Sequence, residues 1–365
     1  MDGMNVSVRG LGKRYGSVRA VNEITLDVRP GEFLSLLGPS GSGKTTLMMM
    51  IAGFEMPNAG NIWIGDRDVT YVAPNRRDVG MVFQRYALFP HMTVADNIAF
   101  PLRMRKIAKD EKARRVAEAL AMVQLDGYGK RLPSELSGGQ QQRVAVARAL
   151  VFEPPVLLMD EPLGALDKKL REQMQIEIKR LQQRLGVTVI YVSHDQEEAL
   201  TMSDRIAVMR DGSLEQIGSP SELYDSPATS FVADFVGKTN FLEGECRNCN
   251  GAGLEIGLGQ SGFIHVALNA LATPPKSGDR LRLAVRPERI RMQSPGEMDG
   301  PALDGVVEAV IFVGSFRTFL VRLNGGELVH VQVQMDRDAW HPGEGDRVKL
   351  AVPSQAVHLF PAARC

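Results

Sequence analysis

The chain has 365 residues, 44% of them hydrophobic and 24% charged, and its formal net charge is zero. This length predicts two domains, and the neutral balance argues against broad electrostatic binding to nucleic acid. No apolar run approaches the ~20 residues that span a bilayer, and the first residues lack the apolar segment of a signal peptide. We therefore expect a cytoplasmic protein that binds no nucleic acid and reaches a membrane only through a partner.

Strand-like and helix-like patterns alternate through about residue 235. A short buried strand is predicted at residues 31–37, and a helix follows at 45–52. Further along, an apolar strand at 156–160 precedes a helix at 168–185 and a β-branched strand at 187–192. Strand, helix and strand in this order predict a parallel sheet with helical crossovers.

Residues 92–136 show a different pattern. An amphipathic helix is predicted at 109–125, with Ala117, Leu120 and Val123 on its apolar face. We interpret this region as part of a helical subdomain, about residues 92–150, inserted into the α/β domain.

From about Thr239 the sequence changes to short alternating runs, such as 281–285 and 319–323, separated by turn residues such as Asn324 and Gly325. This pattern is typical of a small β-barrel or sandwich. We therefore predict an α/β domain at residues 1–237 and an all-β domain at 238–365.

The cysteines Cys246, Cys249 and Cys365 are too few for a disulfide framework. Cys246 and Cys249 form one C-x-x-C pair, but no second pair or histidines follow at the spacing of a zinc site. We interpret both as reduced thiols, and the sequence assigns them no role.

A glycine-rich turn between the first predicted strand and helix matches the phosphate-binding pattern G-x-x-x-x-G-K-[ST]. Its glycines let backbone N–H groups approach phosphate oxygens, and the helix that follows points its positive end at the same anion. The lysine supplies charge to the β- and γ-phosphates, and the first threonine is a ligand for Mg²⁺. The predicted nucleotide contacts are Gly38, Pro39, Ser40, Gly41, Ser42, Gly43, Lys44, Thr45 and Thr46.

Asp160 and Glu161 end the apolar strand at 156–160. Beside a phosphate loop, the first carboxylate would hold Mg²⁺ and the second would polarise an attacking water as general base. Acidic residues after a strand are common, so the pair alone leaves open that Asp160 caps a helix.

A second glycine-rich turn, LSGGQ at residues 136–140, precedes a predicted helix. Ser137 can cap this helix, and the two glycines leave backbone N–H groups bare, which makes a second anion-binding helix terminus. Together with the phosphate loop, this turn resembles the signature sequence of ABC ATPases. The resemblance covers residues 4–237 and implies a P-loop NTPase fold with a RecA-like parallel sheet, a helical insertion and N-terminal antiparallel strands.

In ABC ATPases two copies pack head to tail, and each ATP lies between the phosphate loop of one copy and the signature of the other. The resemblance therefore implies a homodimer that binds ATP and Mg²⁺. The residues implied to contact the nucleotide of the other copy are Ser137, Gly138, Gly139, Gln140 and Asp167.

Three further positions match the family pattern. Tyr15 resembles the aromatic that stacks on adenine, Gln84 the loop glutamine that contacts Mg²⁺ and the attacking water, and His194 the switch histidine that contacts the γ-phosphate. The implied Mg²⁺ ligands are Thr45, Gln84 and Asp160, and the implied catalytic residues are Glu161, His194 and Gln84. On residue type alone, structural roles for Tyr15 and His194 stay open.

The C-terminal part resembles the TOBE/OB-like regulatory domain of importer ATPases. Residues 231–242 resemble the linker of that group, and residues 285–288 (VRPE) resemble its recurrent strand-end motif. The resemblance implies the ATP-hydrolysing subunit of a bacterial ABC importer, at the cytoplasmic face of the inner membrane. It also implies two transmembrane permease subunits as partners and, indirectly, an extracytoplasmic solute-binding protein.

The pattern is nearest to polyamine (putrescine or spermidine) importers, with ferric-iron, sugar and sulfate importers as alternatives, because fold and motif do not fix the cargo. An alternative of another class is a soluble ABC ATPase acting in translation or DNA repair. Such proteins generally carry two ATPase cassettes or a long coiled coil, and this sequence shows neither.

Residues 85–92, after Gln84, are rich in large apolar side chains. If these are exposed they suggest a docking surface, which in the family receives a helix of the transmembrane subunit. Packing against the helical subdomain is the alternative.

Overall fold

The structure is a computed structural model that describes residues 3–84, 86–164, 166–250, 253–267, 275–294, 301–335, 340 and 342–361. Cys365 lies outside these residues. Contacts divide the chain into two compact units, Met1–Leu223 and Tyr224–Cys365. Within the described part of the chain, every helix is too short or too polar to cross a membrane.

The first unit consists of two sheets and the helices that surround them. In chain order its elements are β1 (Val6–Tyr15), β2 (Val18–Val28), β3 (Phe33–Leu37), α1 (Lys44–Ala52), β4 (Ala59–Ile64), β5 (Arg67–Asp68), β6 (Val79–Val82), α2 (Val94–Met104), α3 (Lys109–Met122), α4 (Gly138–Leu150), β7 (Val156–Asp160), α5 (Lys168–Leu185), β8 (Thr188–Ser193), α6 (Gln196–Met202), β9 (Arg205–Arg210), β10 (Ser213–Gly218) and α7 (Pro220–Asp225), which spans the division.

The central sheet has the strand order β10-β9-β3-β8-β7-β6. All neighbours pair in parallel except β10, which is antiparallel to β9. β3 and β8 are buried along their whole length, as their continuous apolar runs predict. The predicted parallel sheet is confirmed, and it brings the turns after β3, β7 and β8 to one edge.

A second, antiparallel sheet with the order β2-β1-β4-β5 covers the first helix. Its buried side chains, including Val8 and Leu11, form one core with Leu47 and Ile51 of α1. The predicted N-terminal antiparallel strands are therefore present.

The inserted helices α2, α3 and α4 share a core of their own. α3 buries Val116, Ala119 and Leu120, whereas Ala117 is exposed. The prediction that Ala117 lies on the apolar face is wrong, because one residue along a helix turns the side chain by about 100°, and the buried face is set by Val116.

The second unit is all-β apart from its first segment. Its elements are α8 (Ser230–Phe235), β11 (Asn240–Asn250), β12 (Gly253–Gly257), β13 (Phe263–Val266), β14 (Arg280–Val285), β15 (Arg291–Gln293), β16 (Leu303–Phe312), β17 (Phe316–Leu323), β18 (Leu328–Gln334), β19 (Arg347–Ala351) and β20 (Val357–Pro361). They form two five-stranded antiparallel sheets around one hydrophobic core, as predicted. Cys246 is buried and Cys249 is exposed on β11.

Residues 224–239 pack with this second unit through Arg286, which is only 4% exposed. Its guanidinium donates to the carbonyl oxygens of Ala233 at 2.9 Å and Tyr224 at 3.1 Å. Ala233 also packs on Phe360 of β20. The contacts therefore divide the chain ahead of the boundary predicted at residue 237.

Candidate nucleotide site

The phosphate loop connects β3 to α1 at the carboxyl edge of the central sheet. Gly41 and Gly43 adopt positive φ angles of 81° and 97°, and a Cβ on Gly43 would collide with the carbonyl oxygen of Ala20, so glycine is required there. Among the residues that the structure describes, no side chain caps the N-terminus of α1. Its first N–H groups therefore remain available to an anion.

The Lys44 side chain is folded into this loop. Its Nζ donates to the carbonyl oxygens of Gly38 at 2.7 Å and Pro39 at 3.0 Å. Burial lowers the pKa of the ammonium, and the nearby carboxylates of Glu161 and Asp160 oppose that shift. The loop thus holds a buried positive charge where phosphate oxygens would bind.

Asp160 ends β7 directly beside the phosphate loop. Thr45 Oγ1 donates to Asp160 Oδ1 at 3.5 Å. Burial raises the pKa of Asp160, and the neighbouring charge of Glu161 raises it further. The alternative role as a helix cap does not hold, because the helix that follows, α5, is capped by Asp167.

Three predicted catalytic side chains meet at one oxygen atom. Glu161 Oε2 accepts a hydrogen bond from Gln84 Nε2 at 3.0 Å and lies 3.1 Å from His194 Nδ1. Glu161 has a positive φ of 44°, which is uncommon for a residue with a side chain, and its N–H donates to the carbonyl oxygen of Val192 at 3.0 Å. In this backbone conformation the carboxylate lies beside Gln84 and His194, which follow β6 and β8.

Tyr15 lies at the end of β1 with 46% of its surface exposed. Lys13 Nζ lies 4.9 Å from its ring centroid. Burial and a hydrogen bond to Glu55 raise the pKa of its hydroxyl, and a hydrogen bond to Thr46 lowers it. The ring therefore stands at the first turn of α1, and the alternative of a core aromatic does not hold.

The signature turn forms a capped helix start, as predicted. Ser137 is the N-cap of α4, and Gln140 Oε1 accepts a reciprocal hydrogen bond from Ser137 N at 3.0 Å. A Cβ on Gly139 would lie 3.0 Å from Leu170 Cδ2 on α5, and Asp167 caps α5 by accepting from Leu170 N at 3.0 Å. The signature turn and Asp167 therefore belong to one surface region.

The structure brings the predicted residues into two groups. Tyr15, the phosphate loop, Gln84, Asp160, Glu161 and His194 form the first, and residues 137–140 with Asp167 form the second. In the described part of the chain, no hydrogen bond or ion pair joins residues 137–140 to residues 38–46.

The described part of the apolar segment, residues 86–92, is partly packed within its own unit. Tyr86 is buried, and the Phe89 ring packs against Phe100 in a tilted arrangement with ring centroids 4.7 Å apart. The Asn97 amide holds both the N–H and the carbonyl of Phe89. Local packing therefore describes Tyr86, whereas Phe89 remains partly exposed. Arg85 lies outside the described residues, and a docking surface at this segment stays a prediction.

Sequence reasoning missed a polar cluster beside His194. Arg171 contacts Asp195 directly and faces the buried Glu198. The position of Asp195 just before α6 could have marked it as the N-cap of that helix. The sequence does not distinguish Arg171, because it lies in a helix rich in charged residues.

Comparison with known proteins shows which family this chain belongs to. Residues 21–164 match the family model described as ABC transporter, and residues 283–360 match the TOBE domain model. The spermidine/putrescine import ATP-binding protein PotA of Acidothermus cellulolyticus is 50% identical over 94% of this chain and 91% of its own length. The protein of the same name from Rubrobacter xylanophilus has the same identity and coverage. The Fe(3+) ions import ATP-binding protein FbpC of Fusobacterium nucleatum subsp. nucleatum is 42% identical over 98% of this chain and 93% of its own length.

Among solved structures, a dimeric bacterial ABC transporter cassette is 34% identical with a TM-score of 0.54. The match covers 59% of this chain and 98% of that one. Because relatives share half of their residues with it along nearly the whole length, this chain belongs to the family of ABC transporter ATP-binding subunits, which use ATP, and it carries a C-terminal TOBE domain.

Proposed function

We propose that the chain hydrolyses ATP at sites formed between two copies of itself and that it thereby powers a bacterial importer of polyamines. The observation that carries this proposal is the convergence of Gln84 and His194 on one oxygen of Glu161, beside the phosphate loop. A carboxylate held by two polar side chains next to an anion-binding helix start suits the activation of a water for attack on a phosphate.

In the proposed reaction Glu161 accepts a proton from the attacking water. The water oxygen then bonds to the γ-phosphorus. The bond between that phosphorus and the β–γ bridging oxygen breaks, which releases ADP and inorganic phosphate. His194 is 59% exposed at its side chain, so it can donate to the γ-phosphate while Gln84 orients the water. Lys44 exchanges its bonds to the loop carbonyls for bonds to phosphate oxygens.

The residues at the phosphate loop fit Mg²⁺. Thr45 and Asp160 present two oxygen atoms 3.5 Å apart, and partial burial together with the neighbouring charge of Glu161 raises the pKa of the Asp160 carboxylate. Mg²⁺ in nucleotide sites takes one or two protein carboxylates, while phosphates and waters complete its shell. We propose that Thr45, Asp160 and the side-chain amide oxygen of Gln84 would hold the ion. When bound, the ion would neutralise charge on the β- and γ-phosphates.

The second half of each site is proposed to come from the other copy. The capped start of α4 and Asp167 form a polar surface region separate from the phosphate loop of the same chain. The similar solved cassette is described as dimeric, which supports this arrangement. The nucleotide would then lie between Gly38–Thr46 of one copy and Ser137–Gln140 of the other.

The proposed partners are two transmembrane permease subunits. Binding to them would place the protein peripherally at the cytoplasmic face of the inner membrane. A solute-binding protein would deliver the cargo to the permease subunits from the other side. Relatives named for spermidine/putrescine import are 50% identical, against 42% for the one named for Fe(3+) import. The higher identity favours polyamines as cargo and keeps ferric iron as the alternative.

The chemical part is tested by steady-state ATP hydrolysis in the wild type and in Glu161→Gln. We expect Glu161→Gln to lose activity by about a hundredfold or more while it still binds ATP. The matched control is Glu172→Gln, which changes an exposed carboxylate on α5. Activity of Glu161→Gln close to that of the control removes Glu161 as the base.

The cargo is tested by uptake of labelled putrescine, spermidine, Fe³⁺ and sugars in cells that lack this subunit. We expect loss of polyamine uptake only, with recovery when the wild-type gene is returned. Loss of iron uptake instead selects the alternative cargo. Copurification with ribosomes or DNA, rather than with membrane subunits, supports a soluble ABC ATPase and overturns the transport proposal.

A further inference from the structure

Arg171, in the first turn of α5, connects two segments that carry proposed nucleotide contacts. Its Nη2 donates to the carbonyl oxygen of Leu166 at 3.0 Å, next to Asp167. Its Nη1 donates to Asp195 Oδ2 at 3.1 Å, next to His194. One rigid guanidinium therefore holds the residue before Asp167 and the residue after His194.

The turn that carries His194 is fixed on its other side by Glu198, which is 3% exposed. Glu198 Oε2 accepts hydrogen bonds from Tyr191 OH at 2.9 Å and from Ser193 Oγ at 2.8 Å. Ser193 Oγ in turn accepts from the N–H of Asp195 at 2.9 Å. The residues on both sides of His194 thus belong to one hydrogen-bonded network.

Arg171 also closes this network electrostatically. Its Nε lies 3.8 Å from Glu198 Oε1, and this buried nitrogen has no hydrogen-bond partner among the described residues. The planar guanidinium fork fixes the direction of each bond, which the point charge of a lysine cannot do. A displacement of Leu166 is therefore transmitted to Asp195 rather than absorbed.

We propose that Arg171 is a positioning residue that couples the Leu166–Asp167 segment to His194. The inference rests on the proposed function, in which Asp167 meets the nucleotide of the other copy and His194 meets the γ-phosphate of its own. Contact of Asp167 with the opposite nucleotide then sets the position of His194, so that occupancy of one site controls hydrolysis at the other.

The first test is ATP hydrolysis in Arg171→Gln, with Arg180→Gln on the exposed side of the same helix as control. We expect kcat to fall about tenfold to a hundredfold, the effect of misplacing a reacting group by an ångström. The Kd for ATP stays at its wild-type value, because in the part of the chain that the structure describes no hydrogen bond or ion pair joins Arg171 to the phosphate loop. The Hill coefficient for ATP falls toward one, which a purely structural role does not predict.

The second test is a double-mutant cycle of Arg171→Gln with Asp195→Asn. Asparagine caps helices as well as aspartate does, so Asp195→Asn removes the ion pair but keeps the start of α6. If the coupling runs through this pair, the double variant hydrolyses ATP no more slowly than Arg171→Gln alone. Arg171→Lys, which keeps the charge but loses the fork, should lie between wild type and Arg171→Gln.

The inference is overturned if Arg171→Gln matches Arg180→Gln in kcat and Hill coefficient, or if the effects of the two substitutions multiply. If the melting temperature of Arg171→Gln is well below that of Arg180→Gln, Asp195→Asn is compared with Arg180→Gln instead, again by kcat and Hill coefficient. Failure of the proposed function has a different signature, since then the wild type would not hydrolyse ATP or Glu161→Gln would remain active.

Discussion

Gln84 Nε2 donates to Glu161 Oε2 at 3.0 Å, joining two residues that lie 77 positions apart in the chain. Gln84 follows β6 and leads into the segment that packs on the inserted helices. Glu161 follows β7 and lies beside the phosphate loop. A movement of the inserted helices would therefore reach the proposed base directly through this bond.

The exposed ring of Tyr15 leads to a prediction about nucleotide affinity. Stacking of a base on an aromatic side chain is worth about 1–3 kcal/mol, so Tyr15→Ala should weaken ATP binding by roughly tenfold. Tyr15→Phe keeps the ring and should bind nearly as well as wild type. Titration with a fluorescent ATP analogue measures both, and equal affinity of Tyr15→Ala and wild type would show that the ring does not stack.

Lys44→Ala should weaken ATP binding itself, because it removes the buried cation of the phosphate loop. A hydrogen bond to a charged partner contributes about 1.5–3 kcal/mol, so we expect roughly a ten- to hundredfold rise in Kd for ATP. Calorimetric titration provides the measurement, and the affinity for adenosine serves as the internal control because it lacks phosphates. Unchanged ATP affinity would contradict the role given to Lys44.

Mixing two inactive variants tests the head-to-tail arrangement. Lys44→Ala disables the phosphate half of a site, and Ser137→Arg blocks the signature half. A mixed dimer contains one site built from two intact halves, so the mixture should regain hydrolysis that neither variant shows alone. A mixture as inactive as its components would argue that each site lies within one chain.

The packing of Arg286 predicts how the chain can be shortened. A fragment ending at residue 238 keeps Ala233, which is 1% exposed, but loses the strands that carry its packing partners Ala284 and Phe360. A fragment ending at Leu223 avoids this, and it should be more soluble and melt more cooperatively while keeping basal ATP turnover. Light scattering and thermal denaturation compare the two, and a better-behaved 1–238 fragment would place the boundary near residue 237.

Much of the fold was predictable because the signals are local. The strand at Val156–Asp160 and the helix at Lys168–Leu185 have the predicted bounds, since buried parallel strands read as continuous apolar runs and helices keep their period. The phosphate loop and the Ser137 cap were predictable for the same reason, because each motif lies within a few residues.

What the sequence could not provide depends on distant contacts. Ala117 was assigned to the wrong face because the buried stripe of α3 is chosen by its neighbours. The positive φ of Glu161 and the burial of Tyr86 arise where separate segments meet. Arg171 is one of many charged residues on α5, and only the fold brings it to Asp195.

The measurement that tests the central claim most directly is the association state of Glu161→Gln, followed by sedimentation with and without ATP. With hydrolysis blocked, ATP held between two copies should convert monomer to dimer, and Lys44→Ala combined with Glu161→Gln should stay monomeric. A Glu161→Gln protein that remains monomeric at saturating ATP, even with its membrane partners present, would contradict the account.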